Sequence, residues 1–185
     1  ALGKFFALIF ALVPLGYISM AQYQKDRIEA FLHPDNLSLP GNYQVWQSKV
    51  AIGSGGFFGK GLFGGTQKSL DFIPVQTSDF FFAVLGEELG LLGGFFIIAL
   101  YLVLLLRMMS ILKNAVDFYG ALIISGIIGM FVFQIFENIA MTMGLMPVTG
   151  ITLPFLSYGG SSIVSNMLAI ALVLNIAVRS KKINF

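Results

Sequence analysis

The chain has 185 residues, of which 57% are hydrophobic and only 11% charged, with 19 Phe and a formal net charge of +2. Soluble domains run about 45–50% apolar and about 25% charged, so this sequence lacks the polar surface of a soluble fold, a disordered segment or a coiled coil. Its 11 Lys and Arg are scattered singly, without the basic stripe of a nucleic-acid-binding protein, and the lack of Cys excludes disulfides, Cys-ligated zinc and thiol catalysis.

The first apolar run, residues 5–21, follows Lys4 and predicts a membrane span. A signal peptide is rejected, because no small-residue cleavage site precedes a soluble domain. With Ala1 in place of Met, the chain reads as part of a longer membrane protein or as one of two chains. Residues 22–79 form a loop of 58 residues. Structureless loops beyond about 12–15 residues are uncommon, so internal order and function are expected. His33-Pro34-Asp35-Asn36 and Pro40-Gly41-Asn42 read as turns. Tyr43 to Ile52 reads as a short helix with Gln44, Gln47 and Ser48 on one polar face. A glycine-rich stretch follows, and a second short helix is expected to start near Ser78.

The second span, 89–106, holds 18 residues without a charge, roughly 27 Å of helix. Glu87 and Glu88 at its boundary are expected to face water or head groups. The third span, 118–141, carries Gln134, Glu137 and Asn138 at i, i+3 and i+4, one polar stripe. An ionisable residue inside a span signals function, and interhelical hydrogen bonding is the competing reading. The fourth span covers 162–178. Lys4, Arg107, Lys113, Arg179, Lys181 and Lys182 then share one side, which the positive-inside rule makes cytoplasmic. The loop 22–79 has no net charge and lies outside. The predicted class is an all-α polytopic membrane protein with four transmembrane helices and a long, partly helical extracytoplasmic loop.

Several features suggest chemistry. The glycine-rich stretch fails the phosphate-loop template, with Ser54 in place of the first Gly and Gly61 in place of Ser/Thr. It fails the dinucleotide pattern at Phe58. It reads either as a flexible connection or as a backbone-amide cradle for a lipid-linked phosphate, with Lys60 as counter-charge. Asp79 precedes Phe80-Phe81-Phe82, a run expected at the outer membrane face. A carboxylate partly desolvated by such a surface suits a general base, and a helix N-terminal acid is the plainer alternative. Spacing pairs neither Glu87 nor Glu88 with it. Residues 154–162, Pro-Phe-Leu-Ser-Tyr-Gly-Gly-Ser-Ser, lead into the last helix, where free helix amides and Ser hydroxyls suit an anion or simply cap the helix. His33 has no second ligand type nearby and reads as a solvated loop residue, which leaves a His-based metal site unsupported. Trp46 reads as an interface anchor.

These stretches together resemble the SEDS family (shape, elongation, division and sporulation), most closely its RodA branch. The resemblance is carried by 41–48 (Gly-Asn-Tyr-Gln-Val-Trp-Gln-Ser), by 51–56 with Gly59-Lys60-Gly61, by 78–90 around Asp79, by 144–150 (Gly-Leu-Met-Pro-Val-Thr-Gly), and by 153–162. It covers nearly the whole chain. It implies the last four helices of a ten-helix fold in the bacterial inner membrane. It also implies a peptidoglycan glycosyltransferase that polymerises lipid II beside a class B penicillin-binding protein, among membrane lipids and with no nucleic acid.

Under that resemblance Asp79 is the catalytic residue. Substrate binding is expected at Gln47, Ser48, Ser54, Gly55, Gly56, Lys60, Asn138, Ser157, Tyr158, Gly159, Gly160, Ser161 and Ser162. No cofactor is firmly implied, although a divalent cation would serve the leaving pyrophosphate. The sequence departs from the family pattern before the Asp, with Val75 where Glu is usual and Thr77 where His is usual. Asp79 therefore stands alone in its stretch. The alternatives are a lipid II flippase, with the polar stripe as its path, and a non-catalytic scaffold for the penicillin-binding protein. The chain alone is expected to be inactive.

Overall fold

The structure, a computed structural model, describes residues 20–62, 64–65 and 79–180. Nearly all of the expected first span lies outside the described residues, as do Val75, Thr77 and Ser78. Regular structure among the described residues is helical: α1 (Gln22–Leu32), α2 (Asn42–Ser54), α3 (Phe81–Lys113), α4 (Phe118–Thr142) and α5 (Gly160–Ser180). Of these, α3, α4 and α5 are long and apolar enough to cross a membrane.

The helix α1 has no apolar periodicity to announce it. Local polar bonds hold it instead: the Ala21 amide donates to Gln24 Oε1 at 3.1 Å, and Gln22 Nε2 donates to Asp26 Oδ1 at 2.9 Å. The turns at 33–41 then reverse the chain, and Asn42 Nδ2 ties them by donating to His33 O at 2.9 Å and Asn36 O at 3.0 Å. In α2 the polar side faces inward. Gln47 and Ser48 are buried, whereas Tyr43 and Trp46 are exposed.

The three long helices have the inverse of a soluble surface. Leu91, Leu92, Phe95 and Phe96 of α3 are exposed, while Glu137 and Asn138 of α4 are buried. Hydrocarbon chains solvate the first group at no cost, and the second must find partners inside the protein. A core of Ile97, Tyr101, Met108, Ile124, Phe131, Leu153 and Val173 joins α3, α4 and α5. Asp117 caps α4 by accepting from the Gly120 amide at 3.4 Å.

Helix α3 is broken at Gly90, whose φ of 67° and ψ of −164° belong to a region open essentially only to glycine. The break frees carbonyls before it and amides after it. The glycine-rich stretch satisfies both sets. Lys60 N donates to Glu87 O at 3.0 Å and Gly61 N to Glu88 O at 3.0 Å, while Leu91 N donates to Gly56 O at 2.9 Å and Leu92 N to Phe57 O at 3.2 Å. The contact is backbone on backbone, and it sets the composition. A Cβ at Gly55 would overlap Gly86 O, one at Gly59 would overlap Glu88 O, and one at Gly90 would overlap Gly59 N. Instead of a flexible connection, residues 55–61 staple a broken helix.

Two expectations are corrected here. Glu87 and Glu88 do not face water, because both are buried, and Glu87 Oε1 pairs with Lys60 Nζ at 2.7 Å. The glycine-rich stretch covers this part of α3. Phe80 and Phe82 are also buried, so the Phe run packs into the protein.

Candidate functional site

Between α4 and α5 the chain re-enters the bundle. Phe155 stacks on Phe131 with ring centroids 5.8 Å apart. Phe131 lies eleven residues before the end of α4 at Thr142, or about 16 Å down the helix. Tyr101 of α3 donates its hydroxyl to Pro154 O at 2.6 Å. Irregular backbone at such depth must be satisfied internally. Ser157 does part of this, accepting from Leu153 N at 2.8 Å through its buried Oγ. Phe155 adopts a left-handed backbone with φ 63°, rare for an aromatic residue and consistent with a segment held by its surroundings.

Asp79, half-buried, sits where this re-entrant segment meets the start of α3 and the upper part of α4. Asn138 fixes the junction. Its fully buried amide donates to Asp79 O at 2.9 Å and to Ile151 O at 2.7 Å. Both amide hydrogens are used on backbone carbonyls, so Asn138 holds two segments in register. Gly150, with φ 80°, lies against the Asp79 carboxylate, and a Cβ there would stand 3.4 Å from Oδ2. Thr149 donates its hydroxyl to Glu137 Oε1, and Arg27 of α1 donates to Thr149 O at 3.0 Å. Thr149 on Glu137 and Gly150 on Asp79 are adjacent in the chain, so the two carboxylates share one neighbourhood. Asp79, solitary in its own stretch, thus has an acidic neighbour from α4. Their 58-residue separation hid the pairing, and the polar stripe on α4 was its only signal.

The remaining expected site residues fall into three places. Ser48 donates to Thr142 O at 2.8 Å and Gln47 to Tyr43 Oη at 2.8 Å, so this polar face of α2 is engaged within the protein. Ser54 donates to Ala51 O at 2.9 Å, and Gly55, Gly56 and Lys60 belong to the staple. The amides of residues 55, 56, 59, 60 and 61 each reach a backbone carbonyl. At the entry to α5, Tyr158, Gly160 and Ser161 are exposed, and Gly159 O accepts from Ile163 N at 3.0 Å. Ser162 Oγ meets Thr152 Oγ1 at 2.9 Å, which ties this helix start to the re-entrant segment. Asn138 and the α5 entry therefore share the re-entrant segment with Asp79, while Lys60 and the glycines line the helix break. No group of three or more His, Cys, Asp or Glu suited to a metal occurs among the described residues.

A model of the cell cycle protein family FTSW_RODA_SPOVE matches residues 2–182. The peptidoglycan glycosyltransferase RodA of Treponema pallidum is 45% identical over 165 residues, covering 89% of this chain and 38% of that protein. The peptidoglycan glycosyltransferase MrdB of Escherichia coli K12 is 39% identical over 184 residues, covering 99% and 50%. Stage V sporulation protein E of Bacillus subtilis is 43% identical over 167 residues, covering 90% and 45%. The chain thus spans half the length, or less, of these curated relatives. A solved structure described as "Structural coordination of polymerization and crosslinking by a peptidoglycan synthase complex" matches with a TM-score of 0.79 at 29% identity, covering 98% of this chain and 49% of that one.

Proposed function

The chain belongs to the FTSW_RODA_SPOVE family of cell cycle proteins, and on that premise we propose that it is part of a peptidoglycan glycan-strand polymerase acting on lipid II. The observation that carries this reading is Asp79, a carboxylate of partial exposure whose backbone is clamped by Asn138 to the re-entrant segment. Fixed backbone around one accessible carboxylate is what a general base requires.

In this reading Asp79 takes the proton from the 4-hydroxyl of the acceptor sugar as that oxygen attacks the anomeric carbon of the donor. The glycosidic C–O bond forms, the bond to polyprenyl pyrophosphate breaks with inversion, and the leaving group departs as an anion. It therefore needs positive charge more than a proton. Lys60, the candidate for this charge, is held by Glu87, so its use requires exchange of that carboxylate for pyrophosphate. The described residues assemble no metal site of their own, and no step is assigned to a cation. The α4 stripe supports the enzyme over the flippase, because Glu137 and Asn138 are bonded to residues 149–151 as braces. The solved relative's description joins polymerisation to cross-linking, which supports a class B penicillin-binding protein as partner. The loop containing α1, α2 and the staple is assigned to the extracytoplasmic side by the charge pattern.

The test is glycan-strand synthesis from purified lipid II by the full-length protein with its penicillin-binding partner, comparing wild type with Asp79→Ala. A fall of about 10²–10⁴-fold is expected for loss of a general base. Equal product from a folded Asp79→Ala protein would refute the assignment.

A further inference from the structure

A hollow with about 520 Å³ of empty space lies between α1, α2 and the turn that follows α4. Phe31, Trp46, Met146, Pro147 and Val148 make its walls largely apolar. Its charged lining residues are both cations, Arg27 and Lys49, and no Asp or Glu lines it among the described residues. Asp79 and Gly150 do not line it either, so it is distinct from the place where Asp79 would act on a sugar.

The surroundings direct each cation. Arg27 Nη1 donates to Thr149 O at 3.0 Å, and the guanidinium lies 6.0 Å from the centroid of the Tyr23 ring. One of its five N–H groups is thus used, and the planar fork is held in place. Lys49 makes no hydrogen bond or ion pair among the described residues. Its ammonium nevertheless folds back onto the wall, because a Cβ at Gly144 would overlap Lys49 Cε and stand 2.5 Å from Nζ. Glycine at 144, with φ 72°, serves the turn and leaves the ammonium its place.

Residues 144–148 come just after Thr142, the last residue of a helix long and apolar enough to cross a membrane, so the hollow opens at head-group level. Trp46 on its wall and Tyr43 beside it are exposed, with ring centroids 6.4 Å apart, and are residue types that anchor proteins at that level. A phosphate diester carries one negative charge and two free oxygens, so one head group can accept from both cations. The apolar walls suit the glycerol and first methylenes of a lipid, whereas a free inorganic ion would leave them bare.

We propose that this hollow binds the head group of an anionic phospholipid, with Arg27 and Lys49 on the phosphate diester and Trp46 against the apolar part. The inference stands apart from the proposed glycosyl transfer, and its test reads binding alone.

The full-length protein is placed in phosphatidylcholine nanodiscs with phosphatidylglycerol added in steps, and the lipids retained are counted by native mass spectrometry. Wild type should keep one phosphatidylglycerol in preference to phosphatidylcholine. Lys49 bonds nothing among the described residues, so Lys49→Gln tests the site without disturbing the fold. Its affinity for that lipid should fall about fivefold, and that of Arg27→Gln with Lys49→Gln about 25-fold, while Lys49→Arg retains it. Equal retention by wild type and the double variant, or no preference over phosphatidylcholine, would overturn the proposal. Displacement by glycerol phosphate at equal concentration would show that the anion alone suffices and would overturn the lipid assignment. Loss of the bound lipid on adding the penicillin-binding partner would assign the hollow to that protein instead.

Discussion

Replacing Gly90 by Ala should undo the stapled break in α3. The strain alone is large, because φ 67° with ψ −164° is a region that Ala does not occupy, at about 1–3 kcal/mol. The added Cβ would also overlap Gly59 N and come within 2.7 Å of Phe57 O, so relief requires residues 57–59 to retreat. Retreat breaks the four backbone bonds that cross the break, to Glu87 O, Glu88 O, Gly56 O and Phe57 O. At about 0.5–1.5 kcal/mol each, these add about 2–6 kcal/mol. The total is comparable with the whole stability of a domain, about 5–15 kcal/mol. The assay is hydrogen exchange on the full-length protein in nanodiscs, with thermal unfolding in parallel. The amides of Lys60, Gly61, Leu91 and Leu92 should lose protection together, since all four depend on one contact. Unchanged exchange at these four positions in Gly90→Ala would refute the staple.

Two further outcomes are expected. Lys60→Met removes the ammonium from a buried carboxylate and should destabilise by about 3–5 kcal/mol, while Lys60→Met with Glu87→Gln should recover much of that in the same thermal assay. Asn138→Leu keeps the volume but deprives Asp79 O and Ile151 O of their donor, so stability should fall by about 1–3 kcal/mol per carbonyl. Its kcat should fall more than its KM rises, because Asp79 is displaced while substrate contacts remain.

The long apolar helices were legible because lipid imposes a simple rule on composition. Helix α4 begins at Phe118 and α5 ends at Ser180, each within two residues of the run of apolar letters that marked it. The glycine-rich stretch was visible, but its role was not. Glycine permits both an anion cradle and close backbone contact, and only the partner backbone at 86–92 decides between them. Helix α1 was missed because its support is polar and local. The inward face of α2 was recognised as polar, yet its direction depended on Thr142, far away in sequence. Asp79 stood out through its neighbours, whereas its acidic companion Glu137 arrives from another helix. Side chains that meet through tertiary packing leave no mark in spacing.

The staple also has a consequence for how the protein is made. Residues 56–61 leave the ribosome about thirty residues ahead of Leu91 and Leu92. At about 5–20 residues per second, the interval is on the order of seconds. Throughout it, the glycine-rich backbone has no helix to bond and must stay hydrated at the membrane surface. Helix α3, made later, has an unsatisfied step at Gly90 until the waiting segment docks on it. Insertion and docking are therefore separate events, and the second completes the backbone bonding of the first. A cell that delays docking would hold a helix whose weakest point faces lipid, a form open to quality-control proteases before the site exists.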